Sequence, residues 1–149
     1  MKPLLPLALA ALLSAPGCGA PSGGAPPVEQ AWVRLPAVAG RPGAAYFTLN
    51  GGAKGATLIG ITSARADRIA LHESMAAGGV MRMTPLKKVA VPPRTALAFA
   101  PGGRHAMVYG IEPRTEAGGT MALTFAFERE PALTIDAKVR SAGDPPPGE

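Results

Sequence analysis

Two stretches in the last third of the chain alternate cleanly between apolar and polar positions. In "TMALTFAFE", Met121, Leu123, Phe125 and Phe127 point one way, while Ala122, Thr124 and Ala126 point the other. In "LTIDAKVR", Leu133, Ile135, Ala137 and Val139 share one face, and Thr134, Asp136, Lys138 and Arg140 turn to water. A period of two marks a strand with one buried face. The "EP" between the two segments reads as a hairpin connection. Further candidate strands cover 30–34, 44–50, 56–62, 68–73, 80–84, 87–91, 95–100 and 104–111. Turn signals separate them: "NGG", "AAGG", "VPP", "PGG" and "AGG". No segment of ten or more residues carries a helical stripe, and no internal repeat is visible. Many short strands at this spacing predict an all-β single domain, a sandwich or a barrel.

The pattern fails at both ends. Residues 1–17 begin with a charged position at Lys2, run apolar from Leu4 to Leu13 and then turn small, as a secretory signal peptide does. The run is too short and wrongly flanked for a spanning helix. The single cysteine, Cys18, closes this segment. The "APGC" around it resembles a lipobox, with Ala15 where such boxes usually carry Leu and an unusual Pro16. Lipidation of Cys18 is the favoured reading, and ordinary signal cleavage nearby is the alternative. Residues 18–29 are a flexible Gly/Pro-rich linker, 30–140 the folded domain, and 141–149 a short disordered tail. The expected location is therefore the periplasm or cell envelope, with any membrane contact made through a lipid anchor. The folded part has no thiol and works without disulfides or cysteine chemistry.

Composition narrows the function by exclusion. The net charge of +5 comes without a Lys/Arg run, and aromatics are only 5% and not interleaved with basic residues. A nucleic-acid surface is thus poorly supported. No Ser-His-Asp grouping suggests a hydrolase, and the glycine pairs read as turns more plausibly than as phosphate cradles.

Candidate chemistry gathers in one window. The chain has two histidines and six methionines. In "DRIALHES", Ile69 and Leu71 share one face, so His72 falls on the side away from the core. In "VMRMTPL", Met81 and Met83 share a face, and in "GGRHAMVYG" His105 and Met107 do. The "PGG" before His105 reads as a hairpin turn that also aims the histidine. Met121 already has a core role. Met75, Met81, Met83 and Met107 remain, alongside both histidines. Methionine often just fills irregular core gaps, and the residues alone leave that account level with metal binding. If a metal binds, neutral thioethers and imidazoles suit Cu(I) better than a hard dication or Zn(II), which call for carboxylate or thiolate.

The spacing H-x10-M-x21-H-x-M, from His72 through Met83 and His105 to Met107, resembles that of the periplasmic copper chaperones of the PCu(A)C type. The flanking "AAYFTLN", "LHE", "PGGRHAMV" and "LTFAF" agree, so the resemblance covers about 30–140. It implies a cupredoxin-like Greek-key barrel or sandwich and one Cu(I) in an exposed site of His72, Met83, His105 and Met107. Met75 and Met81 are then auxiliary thioethers. The implied role is a carrier, not an enzyme. Its implied recipient is the copper-bearing subunit of cytochrome c oxidase, reached directly or through a Sco-type protein. Two alternatives stand beside it: copper sequestration or resistance through the same site, and a structural β-sandwich interaction lipoprotein.

Overall fold

The computed structural model describes residues 27–147. The expected signal segment, Cys18 and most of the expected linker lie outside the described residues. Every expected strand is present: β1 (Val28–Arg34), β2 (Gly43–Asn50), β3 (Ala56–Thr62), β4 (Arg68–Ala77), β5 (Val80–Leu86), β6 (Val89–Val91), β7 (Ala96–Phe99), β8 (Arg104–Tyr109), β9 (Thr120–Phe127) and β10 (Leu133–Arg140). Among the described residues there is no helix.

β4 and β5 run further than their apolar pattern predicts, to Ala77 and to Leu86. The cause is the turn between them. Gly78 and Gly79 adopt φ of 60° and 77°, and Ala77 pairs with Val80 around them. Two successive residues at positive φ make the tight hairpin turn whose twist matches that of its strands. The ladder therefore zips to its last pair, although Ser74–Ala77 buries no apolar face.

The ten strands form one sheet in the order β5-β4-β8-β2-β1-β10-β9-β3-β6, with β7 also on β2. Neighbours are antiparallel except β1 and β10, which run parallel with Trp32 opposite Lys138. The sheet folds over on itself into two layers. Phe47 of β2 meets Phe125 of β9 edge-on at 4.9 Å between ring centroids, although β1 and β10 separate these strands within the sheet. Phe47 also stacks on Phe99 at 4.3 Å. Val33, Ala45, Leu58, Val108, Leu123 and Phe125 fill the space between the layers, each fully buried. The result is a single-domain β-sandwich with one core, as the spacing of strands and turns predicts. The β9–β10 pair behaves as its alternation requires. Met121, Leu123 and Phe125 are fully buried, and β10 pairs with β9 in unbroken register from Leu133–Phe125 to Lys138–Thr120.

The "PGG" turn is a correction. It is a tight turn, but it does not make a hairpin. β7 pairs with the second half of β2 (Phe47 opposite Phe99), and β8 pairs with the first half (Ala45 opposite Ala106). The two strands thus lie end to end along one edge of β2, running the same way. The segment between them leaves that edge and returns. Its turn has Pro101 and Gly102 (φ 83°) at the centre, closed by the Gly103 N–H donating to the Ala100 carbonyl at 3.0 Å. Proline followed by a positive-φ glycine is the type II pattern. The detour carries Arg104 and His105 across to β4.

The last described segment is held at one point. The Ser141 N–H donates to the Asp144 carboxylate at 2.8 Å, and the Arg34 guanidinium reaches the Asp144 carbonyl at 3.4 Å.

Candidate metal centre

β4 lies between β5 and β8, and its register decides which side chains share a face. His72 pairs directly with His105 on one side and Pro85 on the other. Ala70 pairs with Met107, Ser74 with Met83, and Ala76 with Met81. Side chains of paired residues lie on the same side of a sheet, and residues two apart on one strand do so as well. His72, His105, Met107, Met83 and Met81 therefore all project from one face. Leu71 and Ala106 project from the other, into the core, where they are 5% and 0% exposed. His72 faces away from the core, as its strand pattern predicts.

The two imidazoles are near-parallel, with centroids 5.9 Å apart and planes at 19°. Each is tied back in the same way. His72 Nδ1 lies 3.2 Å from the Ala70 carbonyl, and His105 Nδ1 lies 3.0 Å from the Gly103 carbonyl. A carbonyl oxygen only accepts, so Nδ1 is the donor in each bond, and in the neutral ring the lone pair then lies on Nε2. A backbone acceptor that fixes tautomer and ring orientation is the usual outer partner of a metal-binding histidine. The Gly103 carbonyl also accepts from the Ser74 N–H at 3.1 Å, which fastens the turn to β4. The type II turn thereby sets both the path of β8 and the orientation of its histidine. Its signal, Pro-Gly-Gly two residues before a histidine, is in the sequence. That its last carbonyl is the acceptor is visible only in the fold.

The four residues of the sequence motif do not all converge. Met107 and Met83 stand diagonally on opposite sides of His72, one toward Ala70 and the other toward Ser74. By ideal sheet spacings their backbones are on the order of 15 Å apart. The histidine pair and Met107 form an inner group, and Met83 stands toward the hairpin end. Exposure follows the same gradient: His105 is 7% exposed and Met83 54%. The exposed site that the resemblance implies is thus open only in part. β8 is an interior strand, flanked by β4 and β2, and only the hairpin end of the face is open.

The two auxiliary methionines separate. Met81 lies on the histidine face, but Met75 pairs with Arg82 and projects from the opposite one, together with Leu71 and Glu73. Met75 is removed from the candidate centre. Glu73, adjacent to His72 in sequence, is also on the far face. There it binds the Arg104 guanidinium at 2.8 Å across a direct register pair. No carboxylate joins the imidazoles, and among the described residues no three His, Cys, Asp or Glu side chains form a metal-binding group. The donors on this face are neutral nitrogen and sulfur.

A feature the sequence reading missed lies on the other side of His105. Ala45 pairs with Ala106, so Tyr46, the next residue on β2, flanks His105 on the side away from His72. Tyr46 packs on Trp32 at 4.5 Å, and the Arg34 guanidinium sits 5.0 Å from the Trp32 ring and 5.7 Å from that of Tyr46. Burial pushes the Tyr46 hydroxyl above its ordinary pKa of 10.0, partly offset by Arg34.

This architecture is that of a known class, the PCuAC domains. The solution structure of Cu(I)-DR1885 from Deinococcus radiodurans matches with a TM-score of 0.60 at 25% identity, covering 83% of each chain. The copper-bound PCuAC domain from PmoF2 matches with a TM-score of 0.64 at 24% identity, covering 76% of this chain and 91% of that domain. Apo-DR1885 covers 97% of this chain at a TM-score of 0.61 and 24% identity. Within that class, residues 27–139 match the family model described as "Putative lipoprotein LpqE-like", and the chain belongs to this LpqE-like family. A curated relative, "Putative lipoprotein Lxx21020" of Leifsonia xyli subsp. xyli, is 34% identical over 101 residues, or 67% of this chain. The chain spans 60% of that relative's length.

Proposed function

We propose that this protein is an extracytoplasmic carrier of Cu(I), held at the cell envelope through Cys18, and that His72, Met83, His105 and Met107 are its copper ligands. The observation that carries the reading is the pair of parallel imidazoles. Both are turned by backbone carbonyls so that Nε2 is free, and both lie on a face whose other donors are thioethers. The two rings stand on one direct register pair with centroids 5.9 Å apart, so both belong to one neighbourhood of the face. Neutral, soft donors favour Cu(I) over dications that need anionic ligands. The copper named in the structural relatives supports the choice of metal, and the lipoprotein description of the family supports the anchor.

Copper is cargo in this reading, not a resident cofactor, and the protein performs no chemistry on it. The inner group holds the ion at two nitrogens and one sulfur. Met83 completes the set when the hairpin end of β4–β5 curls over the histidine face. Exchange then proceeds at the open end, where a recipient's ligand enters as Met83 leaves. The proposed recipient is the copper-bearing subunit of cytochrome c oxidase or a Sco-type protein.

Competition for Cu(I) against a chromophoric chelator tests the site. His72→Ala and Met107→Ala should each weaken binding on the order of tenfold or more while leaving the thermal unfolding of the copper-free protein within a few degrees. Unchanged affinity in both variants would sink the ligand assignment. Mixing the loaded protein with the soluble copper domain of the oxidase subunit tests the carrier role. Transfer is expected, and retention of copper by this protein would point to sequestration instead.

A further inference from the structure

Among the described residues, three methionines and a valine account for most of the large apolar side chains left in water: Met75 at 56%, Val80 at 59%, Met81 at 59% and Met83 at 54%. All four lie at the far end of the β4–β5 hairpin. β8 begins at Arg104, opposite Glu73, and the Gly103 carbonyl takes the Ser74 N–H, so β4 from Met75 onward has only β5 beside it. A two-stranded ribbon in water gains little from apolar side chains and is ordinarily built from polar strand formers. The methionines here therefore need a reason other than packing.

The register separates them into two kinds. Met81 and Met83 are consecutive positions on the histidine face of β5, and Met75 is on the opposite face of β4. Successive same-face residues on a strand are roughly 6.6 Å apart. That is close enough for two flexible thioethers to turn onto one ion between them. From His72 the donors thus run outward as Met83 and then Met81. Met107 and His105 stand at the inner, more buried end.

We infer that Met81 and Met83 form an outer thioether subsite for a soft monovalent cation, the position through which the ion enters and leaves the inner His72–His105–Met107 group. This rests on the copper-carrier reading above and extends it by one residue and one step. The ion moves by ligand exchange alone. Met107 and the imidazoles release it as the Met81 sulfur binds, with no change in oxidation state. Met83 is common to both positions, which fits its place between them. The outer pair is the weaker, because it offers two neutral sulfurs in water. The inner group offers two oriented nitrogens and a sulfur in a more buried setting.

The experiment uses the full mature chain with its methionine methyl groups labelled with carbon-13, titrated with Ag(I) as a redox-inert stand-in for Cu(I). The methyl resonances of Met83, Met107 and Met81 should shift, and those of Met75 and Met121 should not. In Met81→Leu, which keeps an apolar side chain and removes the sulfur, Cu(I) affinity should stay within about threefold. The rate at which a small chelator strips the copper should fall several-fold, and Met75→Leu should leave that rate unchanged. A Met81 signal that ignores Ag(I) while Met83 and Met107 respond overturns this inference and spares the carrier reading. No response from Met83 and Met107 overturns both. Normal stripping by a chelator in Met81→Leu, combined with slower transfer to a protein recipient, would make Met81 a docking contact and not a ligand.

Discussion

The β9–β10 and β4–β5 hairpins are built on the same plan and used in opposite ways. Both are antiparallel pairs that carry methionine on one face of a strand, Met121 on β9 and Met81 with Met83 on β5. In β9–β10 the pair sits between β3 and β1, and Met121 is fully buried against the other layer. In β4–β5 the pair closes one end of the sheet, and Met81 and Met83 are more than half exposed. A methionine fully buried in the same core as Leu123, Phe125 and Phe47 is there for its volume. One held in water on the face of the oriented imidazoles gains little from burial, and in the proposed function it serves through its sulfur. The two hairpins show that residue type says little about role until the neighbours across the strand are known.

The largest effect should come from the buried member. Met121→Ala removes a fully buried side chain from the core and should cost about 2–5 kcal/mol of folding stability, read by denaturant unfolding. Copper affinity of the molecules still folded should be unchanged. Met83→Leu should do the reverse. Stability should move by less than about 0.5 kcal/mol, while Cu(I) affinity drops about tenfold, the equivalent of ~1.4 kcal/mol. If Met83→Leu unfolds the protein as Met121→Ala does, the distinction between the two hairpins collapses.

The next variant tests how the histidine face is held. Gly102 sits at φ 83° with open space where a side chain would go, so Gly102→Ala meets no clash and pays only for its backbone conformation. A loss of about 1 kcal/mol is expected. Copper affinity should also fall, because the turn that places the Gly103 carbonyl under His105 is strained. Weakened folding with untouched affinity would show that the turn only routes the chain.

Glu73→Ala probes the register pair beneath the histidines. The Glu73–Arg104 ion pair is partly exposed, so a loss of about 0.2–1 kcal/mol is expected, decreasing with added salt. Tyr46 gives a smaller effect at high pH. Burial raises its pKa in the folded state, with Arg34 offsetting part of the rise. The folded protein therefore keeps the phenol proton after the unfolded chain has begun to lose it. That contribution is complete below a pH of about 10, and it is lost as pH rises through the folded pKa. Chemical unfolding between pH 8 and 11 should show an alkaline decline that is shallower in Tyr46→Phe. An identical decline in both proteins would refute the assignment to Tyr46.

Strand identity was legible because a period of two is a local property. Thr120–Phe127 and Leu133–Arg140 announce themselves, and Ala56–Thr62 is recovered to the residue. The hairpin tip at Ser74–Ala77 was not, because its strand character comes from the glycine turn and not from an alternation that buries one face. The "PGG" segment misled for a related reason. Its turn type follows from Pro-Gly, but whether the strands on either side pair with each other depends on β2, which lies far away in sequence. The candidate ligands were found by residue type and spacing. The separation of Met75 from Met81 was not available at that level, since both are exposed methionines within a few residues of a glycine turn.

Taken alone, the sequence determined the all-β class, the alternating inner faces, the turn chemistry and the softness of the available donors. Each of these depends on residues within a few positions of one another. Only the tertiary structure decided that His72 stands opposite His105, that the Gly103 carbonyl orients the second ring, and that His105 lies in the sheet's interior while Met83 stands in water. Those facts follow from cross-strand register, and register is set by how two layers bury a common core. That is a property of the whole chain at once, and no local stretch encodes it.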